Sequence, residues 1–547
     1  MDGEGTWSAE HRSGRAVPLS ARPASRVARL CSWLVPTMLI VASCGSGAAG
    51  PSSNGAAKGQ GAGPVHARTH HSGPNVVNIA IADDPSGLDP QAFEDGNALA
   101  IYDNISEPLL SRSAADNKVG PLLALSWSQK DPLTWEFKLR SGVTFSDGEP
   151  FNADAVVFSI KRITDPKYVT QQTDFVGDLT GASKVDDLTV DITTSAPDPT
   201  VPERMSLITM VPPSAATNPD FPNHPIGTGP YTLVSTQKGG KTILQANPSY
   251  WGGKPSIEQA VFQPIKEPTL RLAGIKTGEL NVVTGLLPEQ LSQVPVAVHA
   301  AGLEFPTVIL NTRGGPFADK NLRLAANYAM DNQTILNKLY SGFGHIANCQ
   351  IMGPATFGWN PALKAYPFDP AKARQLVQKA HAPTLNVLFV GDSSNRWLKD
   401  VELEQTVSGY LGDIGFTVKP SFTDFATYLN VIFPATDNAT TPRPDMIFVS
   451  HDNVFGDADV TASTYFLTNG GGASTSNTAL DAQILAARQE LNVSKREQMY
   501  KDINKTVCDD ADFIFMMNLD NVWGMTSNLN WTPRYDAEIL VKTMSFG

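Results

Sequence analysis

Four cysteines and nine histidines are the side chains best suited to covalent or metal chemistry in this chain. Cys31 and Cys44 lie near the amino terminus, while Cys349 and Cys508 lie far from them and from each other. In an oxidising compartment the latter two can pair. A bridge needs Cα atoms within about 7 Å, so the sequence leaves a disulfide and two separate thiols both open. No CxxC or mixed Cys/His metal spacing occurs. His66 and His70 have a His-x-x-x-His spacing that grips a metal when helical. They fall in a Gly/Ala/Ser/Pro-rich stretch, where solvated histidines are the expected state. Nothing in the sequence brings His345 and His451 together. Gly227-x-Gly229 lacks the third glycine and the Lys-Ser/Thr of a phosphate cradle. GxSxG, HExxH, EF-hand spacing and a Walker loop are absent. The 54 acidic residues show no distinguishing pair spacing. The expectation is a protein that is not an enzyme and has no cofactor and no resident metal.

The elements that would position a binding site follow an N-terminal address. Arg15, Arg22, Arg26 and Arg29 precede an apolar run, Leu34 to Ala42. That run is too short to span a bilayer and reads as a secretory signal over 1–43. Its end, Val41-Ala42-Ser43-Cys44, resembles the lipobox of bacterial lipoproteins, which implies a lipid on Cys44. Residues 44–74 then form an expected flexible tether, reaching about 30 Å on average. Beyond it the composition is that of a soluble globular protein, with 41% hydrophobic and 18% charged residues. The formal charge is −12 without a basic stripe, which argues against nucleic acid as a partner.

From residue 75 strands and helices alternate. Val77, Ile79 and Ile81 mark a first strand. Trp135, Phe137 and Leu139 alternate with Glu136, Lys138 and Arg140, a half-buried strand. Turns follow at Ser141-Gly142 and Asp147-Gly148. Asn152 then caps a helix carrying Val156, Ile160 and Ile163. Val185 to Ile192 reads as a strand pair. Asp331 and Asp369 cap two further helices, and Ser494 to Glu497 forms a capping box. Met446 to Val449 reads as a short buried strand, and Phe513 to Met517 as another. This order is that of an α/β protein with parallel-rich sheets.

The stretch FKLRSGVTFSDGEPFNADAVVFSI resembles the signature of the family 5 extracellular solute-binding proteins of ABC transporters. Leu88-Asp89-Pro90, Glu107-Pro108-Leu109, PIGTGPY at 225–231, NPSYWGGKP at 247–255 and NTRGGPFADKNLRLAANYAMD at 311–331 extend the resemblance in order. It implies a two-lobed, periplasmic-binding-protein-like α/β fold with an extra domain in the first lobe. The implied divisions are 75–115 and 226–311 for the first lobe, 116–225 for the extra domain, 312–514 for the second lobe, and 515–547 for the return. It further implies a monomeric receptor for a peptide or other small solute, which works with ABC permease subunits and is held at the outer face of the cytoplasmic membrane by its N-terminal lipid. A ligand-sensing lipoprotein and a receptor for a sugar or metal chelate are the alternatives. In peptide-binding members an acidic residue beyond the strand corresponding to 445–449 holds the ligand amino terminus. Here that stretch is SHDNVFGDAD, so Asp452, Asp457 and Asp459 are candidates, with His451, Asn453 and Phe455 beside them. His451 stands where the family often has Trp, a departure that bears on peptide specificity. Family topology also brings Phe93, Asp95, Asn97, Trp359 and Trp397 towards the cleft.

Overall fold

The computed structural model describes residues 75–382, 384–394, 396–434 and 442–547. The expected signal, tether and lipid-bearing Cys44 lie outside the described residues. The described chain builds two mixed sheets, one in each lobe. In the first, the strand order is Val296–Ala301, Met517–Met525, Val282–Val283, Val76–Ile81, Gln259–Pro264, Thr242–Ala246 and Tyr231–Ser235. Val76–Ile81 runs parallel to both of its neighbours, and the other pairs are antiparallel. Both faces of this central strand are covered. Val77, Ile79 and Ile81 pack with Trp523 and Trp531, whereas Ala80 packs with Leu272 and Ile275.

The second sheet has the order Thr417–Thr423, Asn386–Asp392, Met446–Asp452, Glu304–Leu310 and Phe513–Phe515. Its centre is apolar on both sides, as a sheet between two helical layers must be. Along Met446–Asp452, Met446 and Phe448 enter one core cluster, and Ile447 and Val449 enter the other.

The chain passes from the first sheet to the second at Gly302 and returns for the last time at Met516, with Gly344–Ile346 pairing back onto Met517–Met525 in between. The first crossing comes earlier than the boundary expected at 312, because Glu304–Leu310 already pairs in the second sheet. The run from Phe513 to Met517 is not one strand. Phe513–Phe515 belongs to the second sheet and Met517–Met525 to the first. The two crossings lie side by side. Gly302 N donates to Leu519 O (3.0 Å), and Asn518 Nδ2 donates to the carbonyls of Gly302 (2.9 Å) and Glu304 (3.1 Å). A Cβ at Gly302 would meet Leu519 O at 2.6 Å, so only glycine permits this approach.

The signature stretch falls in a separate four-stranded antiparallel sheet, ordered Ala124–Asp131, Thr134–Leu139, Thr189–Thr194, Leu179–Asp186. The helix Ala153–Thr164 lies over it and buries Val156, Ile160 and Ile163. Asn152 Oδ1 caps that helix, accepting from Asp154 N (2.9 Å) and Ala155 N (3.2 Å). Asp331 and Asp369 cap their helices in the same way. The box at Ser494–Glu497 does not start its helix. Val493–Asp510 begins earlier, capped by Asn492, whose side chain accepts from Lys495 N (3.0 Å). Asn and Ser are comparable caps, and the earlier one adds two residues, Val493 and Ser494, to the helix.

The motifs converge on two buried carboxylates. Glu107 accepts from Thr228 Oγ1 (3.0 Å), Tyr250 OH (2.7 Å) and Trp251 Nε1 (2.8 Å). Asp89 accepts from Arg162 Nη1 (3.1 Å) and Tyr168 OH (3.1 Å). In the second lobe a disulfide joins Cys349 to Cys508, with Cα atoms 5.3 Å apart, and ties a loop to the helix Val493–Asp510.

Candidate functional site

Parallel strands present their carboxyl ends at one edge of a sheet, and that edge is where open α/β sheets take ligands. Asn386–Asp392 and Met446–Asp452 run parallel and end in Asp392 and Asp452. Glu304 enters the neighbouring strand opposite Asp452. The loop beyond Asp452 leads to the first lobe. Phe455 packs edge-on against Phe175 at 5.4 Å, lies under the Arg204 guanidinium at 5.4 Å, and offers its carbonyl to Arg112 Nη2 at 2.8 Å. Its ring is part of the inserted domain's own core cluster. Lys399 to Glu289 (3.1 Å) is a second contact between the lobes.

The acidic stretch divides sharply. Asp457 is buried and makes a two-pronged ion pair with Arg496 (2.6 and 2.7 Å), while capping the following turn. Asp459 is buried and accepts from Tyr500 OH (2.7 Å) and Ser463 Oγ (3.2 Å). Asp452 differs from both. Its side chain is exposed and has no hydrogen bond or ion pair among the described residues. Its pKa is nevertheless raised, first by desolvation, with Arg396 opposing. A carboxyl that water touches and that still loses solvation lies in a recess, with protein crowding it from several sides.

Its neighbours hold the loop in shape. Asn453 Nδ2 donates to Asp457 O (2.8 Å) and Thr461 Oγ1 (2.9 Å), and its Oδ1 accepts from Gly456 N (3.0 Å). His451 shares Thr461 Oγ1 at 2.8 Å and packs edge-on against Tyr465 at 5.0 Å. Burial pushes the His451 pKa down to about 4, so the ring is neutral at physiological pH.

The first-lobe candidates are engaged with their own segment. Asp95 caps the helix Gly96–Tyr102, accepting from Ala98 N (3.1 Å), and also accepts from Ser86 N (3.1 Å). Asn97 Oδ1 accepts from Asp83 N (3.4 Å). The Phe93 ring fills the space that Gly87 leaves open, where a Cβ would meet it at 2.2 Å. Glu94, between them, was not among the sequence candidates. It is exposed, its carboxyl has no partner among the described residues, and its pKa is pushed up to about 7 by desolvation and then by Asp174 and Asp452. The one sequence signal for it is its place in the same segment. Trp397 is part-buried between both second-lobe clusters, with Tyr428 at 5.5 Å, Phe425 at 6.0 Å and Phe448 at 6.1 Å. Trp359 packs on one of those clusters.

Behind the edge, Asp392, Asp400 and Glu404 are each 0% exposed. Asp400 accepts from Val401 N (2.8 Å) and Trp397 N (3.3 Å). Neither Glu404 oxygen has a hydrogen-bond partner among the described residues. Its pKa is pushed up to about 9 by desolvation, then by Asp400 and Asp392, so it holds its proton at neutral pH. Among the described residues no group of three His, Cys, Asp or Glu is placed to hold a metal. His345 lies by Asp520 (3.5 Å) with His299 on its other oxygen (2.7 Å), in the first sheet, whereas His451 ends the second.

Two hinged α/β lobes with a cleft edge between them define a periplasmic-binding-protein-like fold. Residues 118–473 match the model of the bacterial extracellular solute-binding proteins, family 5 (middle), and the chain belongs to that family, whose members are extracytoplasmic. The glutathione-binding protein GsiB of Pectobacterium atrosepticum is 25% identical over 80% of this chain and 87% of its own. The nickel-binding periplasmic protein of Escherichia coli is 28% identical over 57% of this chain and 62% of its own. The periplasmic binding protein DppA of Helicobacter pylori, solved in complex with the peptide STSA, superposes with a TM-score of 0.70 at 22% identity, covering 86% of this chain and 98% of its own. Among the described residues no helix is long and apolar enough to cross a membrane.

Proposed function

We propose that this chain is the substrate-binding subunit of an ABC importer, which takes a peptide between its lobes and delivers it to permease subunits. It catalyses nothing, and ATP hydrolysis belongs to another chain. Lipid on Cys44 holds it at the outer face of the cytoplasmic membrane. Asp452 carries the peptide reading. It is the one acid of its stretch left without a partner, since Arg496 occupies Asp457 and Tyr500 occupies Asp459. It ends a central strand at the cleft edge, where an ammonium can replace lost hydration. Backbone hydrogen bonds along an extended ligand would supply the remaining affinity. DppA, solved with a bound peptide, shares the fold.

Thermal unfolding with short peptides tests this. At 100 times Kd a ligand adds about 2.7 kcal/mol to stability, a shift of several degrees. A shift with a sugar or metal chelate and none with any peptide would overturn the peptide assignment. Retention of a Cys44→Ala protein on membranes would overturn the anchor.

A further inference from the structure

Three carboxylates from three segments lie close enough to act on one another, Asp174 and Asp452 both on Glu94, and none forms an ion pair among the described residues. Glu94 follows Phe93, Asp174 lies in the short helix Thr173–Val176, and Asp452 ends its strand. All three are exposed, and among the described residues none of their side chains has a hydrogen bond or ion pair. Glu94 and Asp174 share a wall. Glu94 N donates to Gln171 Oε1 (3.1 Å), Gln171 N to Ala92 O (2.9 Å), and Gln172 Nε2 to Phe93 O (2.8 Å), just before the helix that carries Asp174. Asp452 belongs to the opposite wall. The two walls meet where Phe175, next to Asp174, touches Phe455, three residues beyond Asp452.

A fourth group stands next to Asp452, its ring packed on the preceding residue His451. Tyr465 is only 5% exposed, yet its hydroxyl has no hydrogen-bond partner among the described residues. The charges that act on that hydroxyl are Asp452 and then Asp174. A phenol packed on a neutral histidine and left unpartnered near carboxylates can accept from an incoming donor. The nearby cations form no ion pair with these carboxylates, although Arg396 acts on Asp452 from a distance. Arg396 lies over the Phe425 ring at 4.5 Å, and Arg488 is shared between Asp178 and Asp459 at 3.8 Å each.

We propose that Glu94, Asp174, Asp452 and Tyr465 form one subsite for a ligand with two positive charges. Asp452 and the Tyr465 hydroxyl take one ammonium, and Glu94 with Asp174 takes the second from the facing wall. The inference rests on the peptide reading and narrows it to peptides whose amino-terminal residue is itself basic. Closing an empty cleft brings like charges together in a water-poor space, and a dication reverses the sign of that interaction. A dication thus favours closure as well as being held by it.

Calorimetric titration of the mature protein at pH 7.5 and low salt, with Lys-Ala-Ala, Ala-Ala-Ala, N-acetyl-Lys-Ala-Ala and spermidine, tests this. Lys-Ala-Ala is expected to bind at least about tenfold tighter than Ala-Ala-Ala, a difference of about 1.4 kcal/mol. Acetylation is expected to remove most of that binding. In a Glu94→Gln/Asp174→Asn protein, checked for an unchanged melting temperature, the ratio of Lys-Ala-Ala to Ala-Ala-Ala affinity is expected to approach one. Equal binding of both peptides to the unaltered protein overturns the subsite and leaves the peptide reading intact. Tight binding of spermidine with none of the peptides keeps the subsite and overturns the peptide reading. No binding of any of the four overturns both.

Discussion

Two sets of carboxylates in this molecule are alike in chemistry and opposite in circumstance. Glu107, Asp89 and Asp457 are buried and meet hydroxyls, an indole or arginines. Asp452, Glu94 and Asp174 are open to water and meet nothing. A buried charge must be paired or it destabilises the fold, so the first set is scaffold by necessity. An unpaired charge in a recess makes no comparable contribution to folding and is free for a ligand. The motifs by which the family is recognised belong to the first set. They join the inserted domain to the first lobe.

Substitutions can break or sharpen this contrast. The largest effect is expected from Asp457→Ala, which leaves the Arg496 guanidinium buried without its partner. A loss of about 3–5 kcal/mol in urea unfolding is expected, and a loss below about 1 kcal/mol would place Asp457 in the other set. Reducing the Cys349–Cys508 bridge frees a loop with a sequence separation of 159. It should lower stability by about 2–5 kcal/mol, read from melting with and without reductant. Glu404→Gln tests a third circumstance, burial without a partner. The folded value of about 9 lies above the unfolded one, so the native state holds the proton and loses stability as pH rises from about 4.5 to 9. The substituted protein should match the original near pH 4.5 and gain on it by up to about 1.4 kcal/mol per pH unit above that. His451 acts in the opposite sense. Its folded value of about 4 lies below the unfolded one, so its contribution is lost as pH falls from about 6.5 to 4. Asp452→Asn should change stability least, within about 0.5 kcal/mol, while weakening peptide binding about tenfold or more. A large loss of stability in that protein would erase the contrast.

Local structure was legible wherever neighbours in sequence determine it. The cap at Asn152 and those at Asp331 and Asp369 need only the next three residues. The first crossing was not legible. Glu304–Leu310 is apolar enough for either sheet, and only its pairing with Met446–Asp452, far along the chain, assigns it. The run Phe513–Met517 hides its break for the same reason, since both halves are buried. Three acids could not be ranked in SHDNVFGDAD because what separates them lies far downstream, Arg496 for Asp457 and Tyr500 for Asp459. Asp95 and Asn97 have the composition of a binding segment and the bonds of a helix start. Glu94, beside them, shows its character only when Asp452 and Asp174 are brought opposite it.

The seating of Phe455 in the inserted domain's core has a consequence in time. An opening lobe must withdraw that ring from Phe175 and from beneath Arg204 before a trapped solute can leave. Entry into an already open cleft needs no such step. The ring therefore acts on residence time and spares association. Stopped-flow traces of a Phe455→Ala protein should show ligand escaping about tenfold faster, with the association rate little altered, and an equal change in both rates would assign the ring to the resting scaffold alone.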